Sequence, residues 1–209
     1  RKEVIKIVSE ILENDYANPD AIHGFGIEIN KKIKKARKIT ADFLSVDTKE
    51  IYFTSGGSEG NNVLIQGIVN ANSRNKKHLI TTKIEHSSVY EIFREYEDRG
   101  FEVTYLNVDS YGRIDLKELA ESIRKETILV SIIAVNSEVG IIQRLEEIGG
   151  IIKEQNSDVA FHTDFVQGFG HLKIDVKKSK IDALTVSGHK IHGPKGIGAV
   201  YLSSKIKIK

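Results

Sequence analysis

The stretch "SGHKIHGPKG", residues 187–196, places one lysine, Lys190, directly behind His189 and among glycines and a proline. It follows the short apolar run 182–186. A primary amine on a glycine-flanked turn is free enough to bond a carbonyl carbon and later release it. Four more places carry residue types suited to chemistry, each just beyond an apolar run. "IYFTS" passes into "GGSEGNN", where Gly57 and Ser58 open a helical stretch and offer backbone N–H groups and a hydroxyl to an anion. A tight turn into a helix would use the same glycines, and the GxxxxGK[ST] spacing of a nucleotide loop is missing. "HLITT" leads to His86, a ring that can stack on a flat ligand, carry a proton, or simply cap the next helix. "ILVSIIAV" leads to Asn136, whose amide can meet a ligand oxygen or form a polar turn. "VAFHTD" ends on Asp164, with Gln167 three residues on. A carboxylate in such apolar surroundings needs a partner if it is buried. His162 shares its strand face, but no third ligand is evident, so no metal is expected and a cationic ring nitrogen is the better partner.

The parts are an anion cradle, a planar stacker, a carboxylate for a ring N–H, hydroxyl donors that include Ser187, and one lysine. Pyridoxal 5'-phosphate asks for all of them. Its phosphate takes backbone and hydroxyl donors, its ring nitrogen needs a carboxylate to stay protonated, and its aldehyde is held as a Schiff base by a lysine amine. Lys190 stands 26 residues after Asp164, past one further strand, which favours it for that role. Lys195 is the rival and reads as solvated or close to the phosphate.

The elements that must carry these residues alternate along the chain. Seven strands are expected at "IYFTS", "HLITT", "EVTYLNV", "ILVSIIAV", "VAFHTD", "DALTVS" and "GAVYL". Between them helical periodicity falls at 59–70, 87–99, 115–123 and 145–155, with a short turn after Asp164. Ahead of them Val4, Ile7, Val8, Ile11 and Leu12 recur at helical spacing, and a second helix is expected over 27–44 after the loop "NDYANPDAIHGFG". Runs as apolar as "ILVSIIAV" suit strands covered on both faces. The pattern predicts one α/β domain over residues 1–209, a mostly parallel central sheet flanked by helices, with any ligand at the carboxyl ends of the strands.

The 209 residues carry a net charge of +2, which gives no ground for a nucleic-acid partner. The dense run "NKKIKKARKI" reads as a solvated helix face, with apolar positions at Ile33, Ala36 and Ile39, in preference to a nucleic-acid arm. No apolar run approaches membrane-span length and no signal peptide is seen, so a cytoplasmic location and no membrane partner are expected. Cysteine is absent, which removes disulfides, thiolate metal sites and any cysteine nucleophile from these residues. Methionine is absent too and the chain opens on Arg1, as expected of a segment of a longer protein.

The segments "NPDAIHGFG", "IYFTSGGSEGNN", "ITTKIEHSSV", "FEVTYLNVDSYGRIDL", "TILVSIIAVNSEVGIIQ", "FHTDFVQGFG" and "DALTVSGHKIHGPKGIGAVYL" together resemble the cysteine desulfurases of the class V aminotransferase group. These are pyridoxal-phosphate enzymes of fold type I that supply sulfur for iron–sulfur cluster assembly. The resemblance implies a large, PLP-transferase-like cofactor-binding domain, without the family's N-terminal segment and its C-terminal small domain. It implies phosphate contacts from Gly57, Ser58, Ser187 and His189, and ring stacking and proton movement by His86. It further implies a ring-nitrogen contact from Asp164, a phenolic-oxygen contact from Gln167, and the Schiff-base role for Lys190. The family has two asparagines where this chain reads Asn136-Ser137, so the contact made by the second is missing here. The implied substrate is L-cysteine, giving L-alanine and a persulfide on an enzyme cysteine, with a homodimer and a sulfur-acceptor or iron–sulfur scaffold protein as partners. The segment alone, lacking that cysteine, is expected to be inactive. A selenocysteine lyase, another class V lyase or aminotransferase, or a non-catalytic fragment are the alternative readings.

Overall fold

The computed structural model describes residues 1–209. Its centre is a seven-stranded sheet of β1 (Ile51–Thr54), β2 (His78–Thr82), β3 (Glu102–Leu106), β4 (Thr127–Ser131), β5 (Ala160–Asp164), β6 (Ala183–Ser187) and β7 (Gly198–Leu202). The spatial order is β1-β7-β6-β5-β4-β2-β3. Strands β6, β5, β4, β2 and β3 run parallel, while β7 lies antiparallel to both β6 and β1. Because β1 and β6 both oppose β7, β1 ends on the same edge of the sheet as the parallel strands. That edge gathers the residues that follow β1, β2, β4, β5 and β6.

Burial follows sequence character. Every residue of β2, β4, β5, β6 and β7 is buried, as the unbroken apolar runs require, and only the edge strands β1 and β3 show exposed positions. Helices α3 (Gly57–Asn72) and α4 (Ser87–Asp98) cover one face, packing Leu64, Ile68, Ile92 and Phe93 against Leu79, Leu129 and Val200. On the other face α5 (Leu116–Ser122) and α6 (Leu145–Gln155) bury Leu119, Ile148 and Ile152 against Ile80, Val130, Phe161 and Leu184. Ala41 and Leu44, at the end of α2 (Gly24–Leu44), join that second core.

The seven expected strands are all present, and α6 matches its expected limits of 145–155. Two strands end well short of their expected limits. "ILVSIIAV" ends as a regular strand at Ser131, yet Ile132, Ile133 and Ala134 stay buried, and the N–H groups of Ile132 and Ala134 still donate to the β5 carbonyls of His162 and Asp164. Burial continues past the end of the regular strand, so hydropathy alone could not mark the boundary. "EVTYLNV" likewise stops at Leu106. The basic run in α2 is solvated, as expected, but Ile39 is 61% exposed and the inward stripe runs through Ile33 and Arg37 to Ala41. Arg37 earns that position by donating to the carbonyl of Ile51. The amphipathic α1 (Lys2–Asn14) buries no residue at all.

Candidate functional site

At the carboxyl edge of the sheet a cleft of about 240 Å³ is lined by Gly57, Ser58, His86, Asp164, Gln167, Ser187, His189 and Lys190, together with Ser88, Ser137 and Val166. Eight of the nine residues singled out from sequence meet there. The ninth, Asn136, does not line it. Its side chain donates to the Ile84 carbonyl and accepts from the N–H groups of Glu138 and Val139, so both ends of the amide are spent on holding a turn. Its neighbour Ser137 faces the cleft instead. Lys195 is exposed and lies outside the lining.

The wall after β1 is a helix start with free donors. Gly56, the N-cap of α3, supplies no side-chain cap, so the first-turn N–H groups stay available and the helix dipole favours an anion in front of them. A Cβ on Gly57 would sit 2.9 Å from Val166 Cγ2, in the turn after β5. Any side chain at this position would have to push Val166 aside. Gly60 has a similar effect one turn on, where a Cβ would lie 2.7 Å from Thr185 Cγ2 and 2.8 Å from Val200 Cγ1. The helix therefore rests directly on β6 and β7, and this close seat carries the next residue, Asn61, to β5.

Asp164, the last residue of β5, is 5% exposed. Its Oδ1 accepts from the Val166 N–H and its Oδ2 from Asn61 Nδ2, both at 2.9 Å. Burial pushes its carboxyl above the ordinary carboxylate range, against the opposing pull of those two hydrogen bonds and of His86. No cationic side chain is bonded to it. A cation brought into the cleft is what would complete the charge balance.

His86 precedes α4 and caps it, with Nδ1 accepting from the Ser88 N–H at 3.1 Å and lying 2.8 Å from Ser88 Oγ. The capping reading is met by Nδ1, and Nε2 has no hydrogen-bond partner within the chain. After β6, Ser187 Oγ and His189 Nδ1 share a 2.8 Å hydrogen bond. Lys190 is exposed on a single 3-10 turn, Gly188–Ile191, which His192 ends in the left-handed region at φ 69°. The lysine is thereby held on a short turn between two strands, its amine without a partner in the chain.

Three polar residues here were not singled out from sequence. Asn61 and Ser88 join Asp164 to His86 through a chain of hydrogen bonds. Glu85, beside His86, accepts at Oε1 from Thr82 Oγ1 at 2.7 Å and from the Ile133 N–H at 2.8 Å, while its Oε2 is buried without a partner. Burial pushes this carboxyl up to about 8, helped by the negative charge of Asp164 nearby. The paired asparagines of "EGNN", poor formers for a helix interior, were the one local signal for Asn61. Nothing local marks Glu85, because its burial comes from the segment after β4.

His162 has an all-protein environment: Nδ1 lies 2.8 Å from Ser131 Oγ and Nε2 3.3 Å from Thr185 Oγ1. Burial lowers it to about 3, so it is a neutral polar tie between β4, β5 and β6. No group of three or more His, Cys, Asp or Glu side chains is arranged to hold a metal ion.

The donor set fits pyridoxal 5'-phosphate. It offers an open helix N-terminus with a glycine cradle, a buried carboxylate lacking a cation, a capping histidine with one ring nitrogen free, and an exposed amine. Residues 1–209 match the family "Aminotransferase class-V" over their whole length. The chain belongs to the class V aminotransferase family. It is 49% identical over 195 residues to a mitochondrial cysteine desulfurase of Candida albicans, covering 93% of this chain and 40% of that protein. It is 47% identical over 208 residues to the cysteine desulfurase IscS of Methanosarcina thermophila, covering 100% of this chain and 51% of that one. Among solved structures, a NifS-like protein superposes with a TM-score of 0.97 at 37% identity, covering 100% of this chain and 57% of its own. A second, described as SspA in complex with cysteine, gives 0.92 at 42% identity, over 97% of this chain and 58% of its own. The chain spans about half the length of these curated relatives. The mostly parallel sheet flanked by helices is the fold of this class V member and of its NifS-like neighbours. No helix is long and apolar enough to cross a membrane.

Proposed function

We propose that these residues form the cofactor-binding large domain of a pyridoxal-phosphate-dependent cysteine desulfurase. The whole protein would take L-cysteine to L-alanine and pass the sulfur to a cysteine outside this segment, for iron–sulfur cluster or thio-cofactor assembly. One observation carries the reading: Lys190, Asp164 and the glycine-opened start of α3 share a single cleft although they come from three distant parts of the chain. The likeness to cysteine desulfurases of several organisms supports the choice of substrate.

Bound pyridoxal phosphate supplies a carbonyl carbon for an amine and a ring that draws off electron density when its nitrogen is protonated. Lys190 would hold it covalently, its short turn giving the amine reach with little motion of the backbone. Asp164 would keep the ring nitrogen protonated, since a carboxylate buried without a cation is stabilised by meeting one. Gly57, Ser58, Ser187 and His189 would bind the phosphate, and Gln167 the phenolic oxygen. His86 would lie against the ring. Asn136 would serve by shaping the turn that presents Ser137. The segment contains no cysteine, so the sulfur-accepting thiol must be supplied from elsewhere in the protein. A homodimer, a cytoplasmic location and a sulfur-acceptor or scaffold protein belong to the same reading.

Borohydride reduction of the intact, cofactor-loaded protein followed by peptide mass spectrometry tests it. The cofactor mass is expected on Lys190 and nowhere after Lys190→Ala. Labelling on Lys195 instead, or on no lysine, would overturn the assignment.

A further inference from the structure

Asn61 is fully buried and its amide makes two bonds of 2.9 Å, to Asp164 Oδ2 and to Ser88 Oγ. Its oxygen Oδ1 is buried with no partner, so the amide is oriented by its NH2 side alone. The reverse orientation would set an amide oxygen against a carboxylate oxygen. With Asn61 donating to Ser88 Oγ, the single hydroxyl proton of Ser88 has one other polar atom in reach, His86 Nδ1 at 2.8 Å. The same nitrogen also receives the Ser88 N–H at the helix cap. A nitrogen met by two donors carries no proton of its own.

We infer that Asn61 is a positioning residue that fixes the carboxylate of Asp164 and, through the Ser88 hydroxyl, holds His86 as the tautomer protonated on Nε2. Nε2 is the ring nitrogen with no partner inside the chain, on a histidine that lines the cleft. His86 therefore meets a ligand as an N–H hydrogen-bond donor, suited to an anionic or lone-pair atom, and has no free lone pair on Nε2 to take a proton. For His86 to accept a proton at Nδ1, the Ser88 hydroxyl must turn away and the cap must open. One amide thus couples the group that faces a ring nitrogen to the group that faces the reacting atoms. The functional consequence rests on the cysteine desulfurase reading; the tautomer itself does not.

The test is the 15N chemical shifts of the histidine rings in the intact, cofactor-free protein near neutral pH. His86 is assigned by the signals lost in His86→Asn. Nδ1 in the pyridine-like range and Nε2 in the pyrrole-like range is the expected result, the opposite pattern or an even mixture the overturning one. Asn61→Ala frees the Ser88 hydroxyl, and Asn61→Asp turns its donor into an acceptor that takes the hydroxyl proton. Both are expected to raise the Nδ1–H population severalfold. Ser88→Ala removes only the hydroxyl of a partly buried residue, keeps the backbone cap, and is expected to move the shifts in the same direction by less. It decides the matter if the Asn61 variants do not fold. Unchanged His86 shifts in the variants that fold would reduce Asn61 to a packing residue. Borohydride labelling of Lys190 in the same variants, after loading with pyridoxal phosphate, reads the cofactor assignment separately, so either idea can fail without the other.

Discussion

Replacing Glu85 by glutamine is expected to make the protein more stable as the solution becomes more alkaline. The carboxyl is lodged between β2 and the segment after β4, with Oε1 taking two hydrogen bonds and Oε2 buried and unpaired. Ionising it would leave a bare negative oxygen in the interior beside Asp164, which is why burial holds it near 8 against an ordinary value of 4.5. Between those values the folded protein keeps a proton that the unfolded chain has released. Stability contributed by a raised carboxyl is therefore greatest in acid and is lost as the pH rises through the window from 4.5 to about 8. At about 1.4 kcal/mol per pH unit, the wild type loses roughly 4 kcal/mol between about pH 5 and pH 9 through this group. Glutamine keeps the acceptor for Thr82 and Ile133, places an NH2 where the acid carries its O–H, and never ionises. Urea unfolding of wild type and Glu85→Gln across that range should give curves that nearly coincide at the acid end and separate steadily, the variant ahead by about 4 kcal/mol at the alkaline end. A difference that stays constant with pH would show that the carboxyl is ionised throughout and solvated, and the argument for a neutral Glu85 would fall.

Other expected outcomes use the helix seats and the buried histidine. Gly149 and Gly150 are neighbours in α6, but a Cβ on Gly149 would lie 1.9 Å from the Ser179 backbone oxygen, whereas one on Gly150 meets nothing within 4 Å. Chemical denaturation should find Gly149→Ala weaker by about 3 kcal/mol, because backbone must move, and Gly150→Ala stronger by up to about 1 kcal/mol from helix propensity; equal effects would refute the packing account. His162, lowered to about 3 by burial, should remain neutral in an NMR titration down to about pH 4. It binds fewer protons folded than unfolded below 6.5, so its contribution to stability is present above that value and is lost as pH falls. A His162 ring that protonates at about pH 6 would refute its burial as the cause.

Much of the candidate site was legible because its residues stand at or just past the ends of strands. "IYFTS", "HLITT", "VAFHTD" and "DALTVS" stop where chemistry-bearing residues begin, and a parallel sheet brings such points to one edge whatever the exact strand order. Asn136 is the instructive exception. It also follows an apolar run, but the regular strand ends at Ser131, and the buried residues Ile132, Ile133 and Ala134, then the partly buried Val135, carry the asparagine to a turn where Ile84 and its own neighbours take its amide. Hydropathy reports burial and is blind to the end of a regular strand.

Sequence alone therefore determined the α/β alternation, the strands covered on both faces, and Lys190 and Asp164 as the pair to watch, because residue type and the position of a strand's end are local properties. Only the tertiary structure decided that β1 joins the site edge through the reversed β7, that Gly60 seats α3 closely enough for Asn61 to reach Asp164, and that Glu85 is sealed by the backbone after β4. Those outcomes depend on contacts between residues far apart in the chain. Burial, desolvation and hydrogen-bond partners exist only once such segments are packed together.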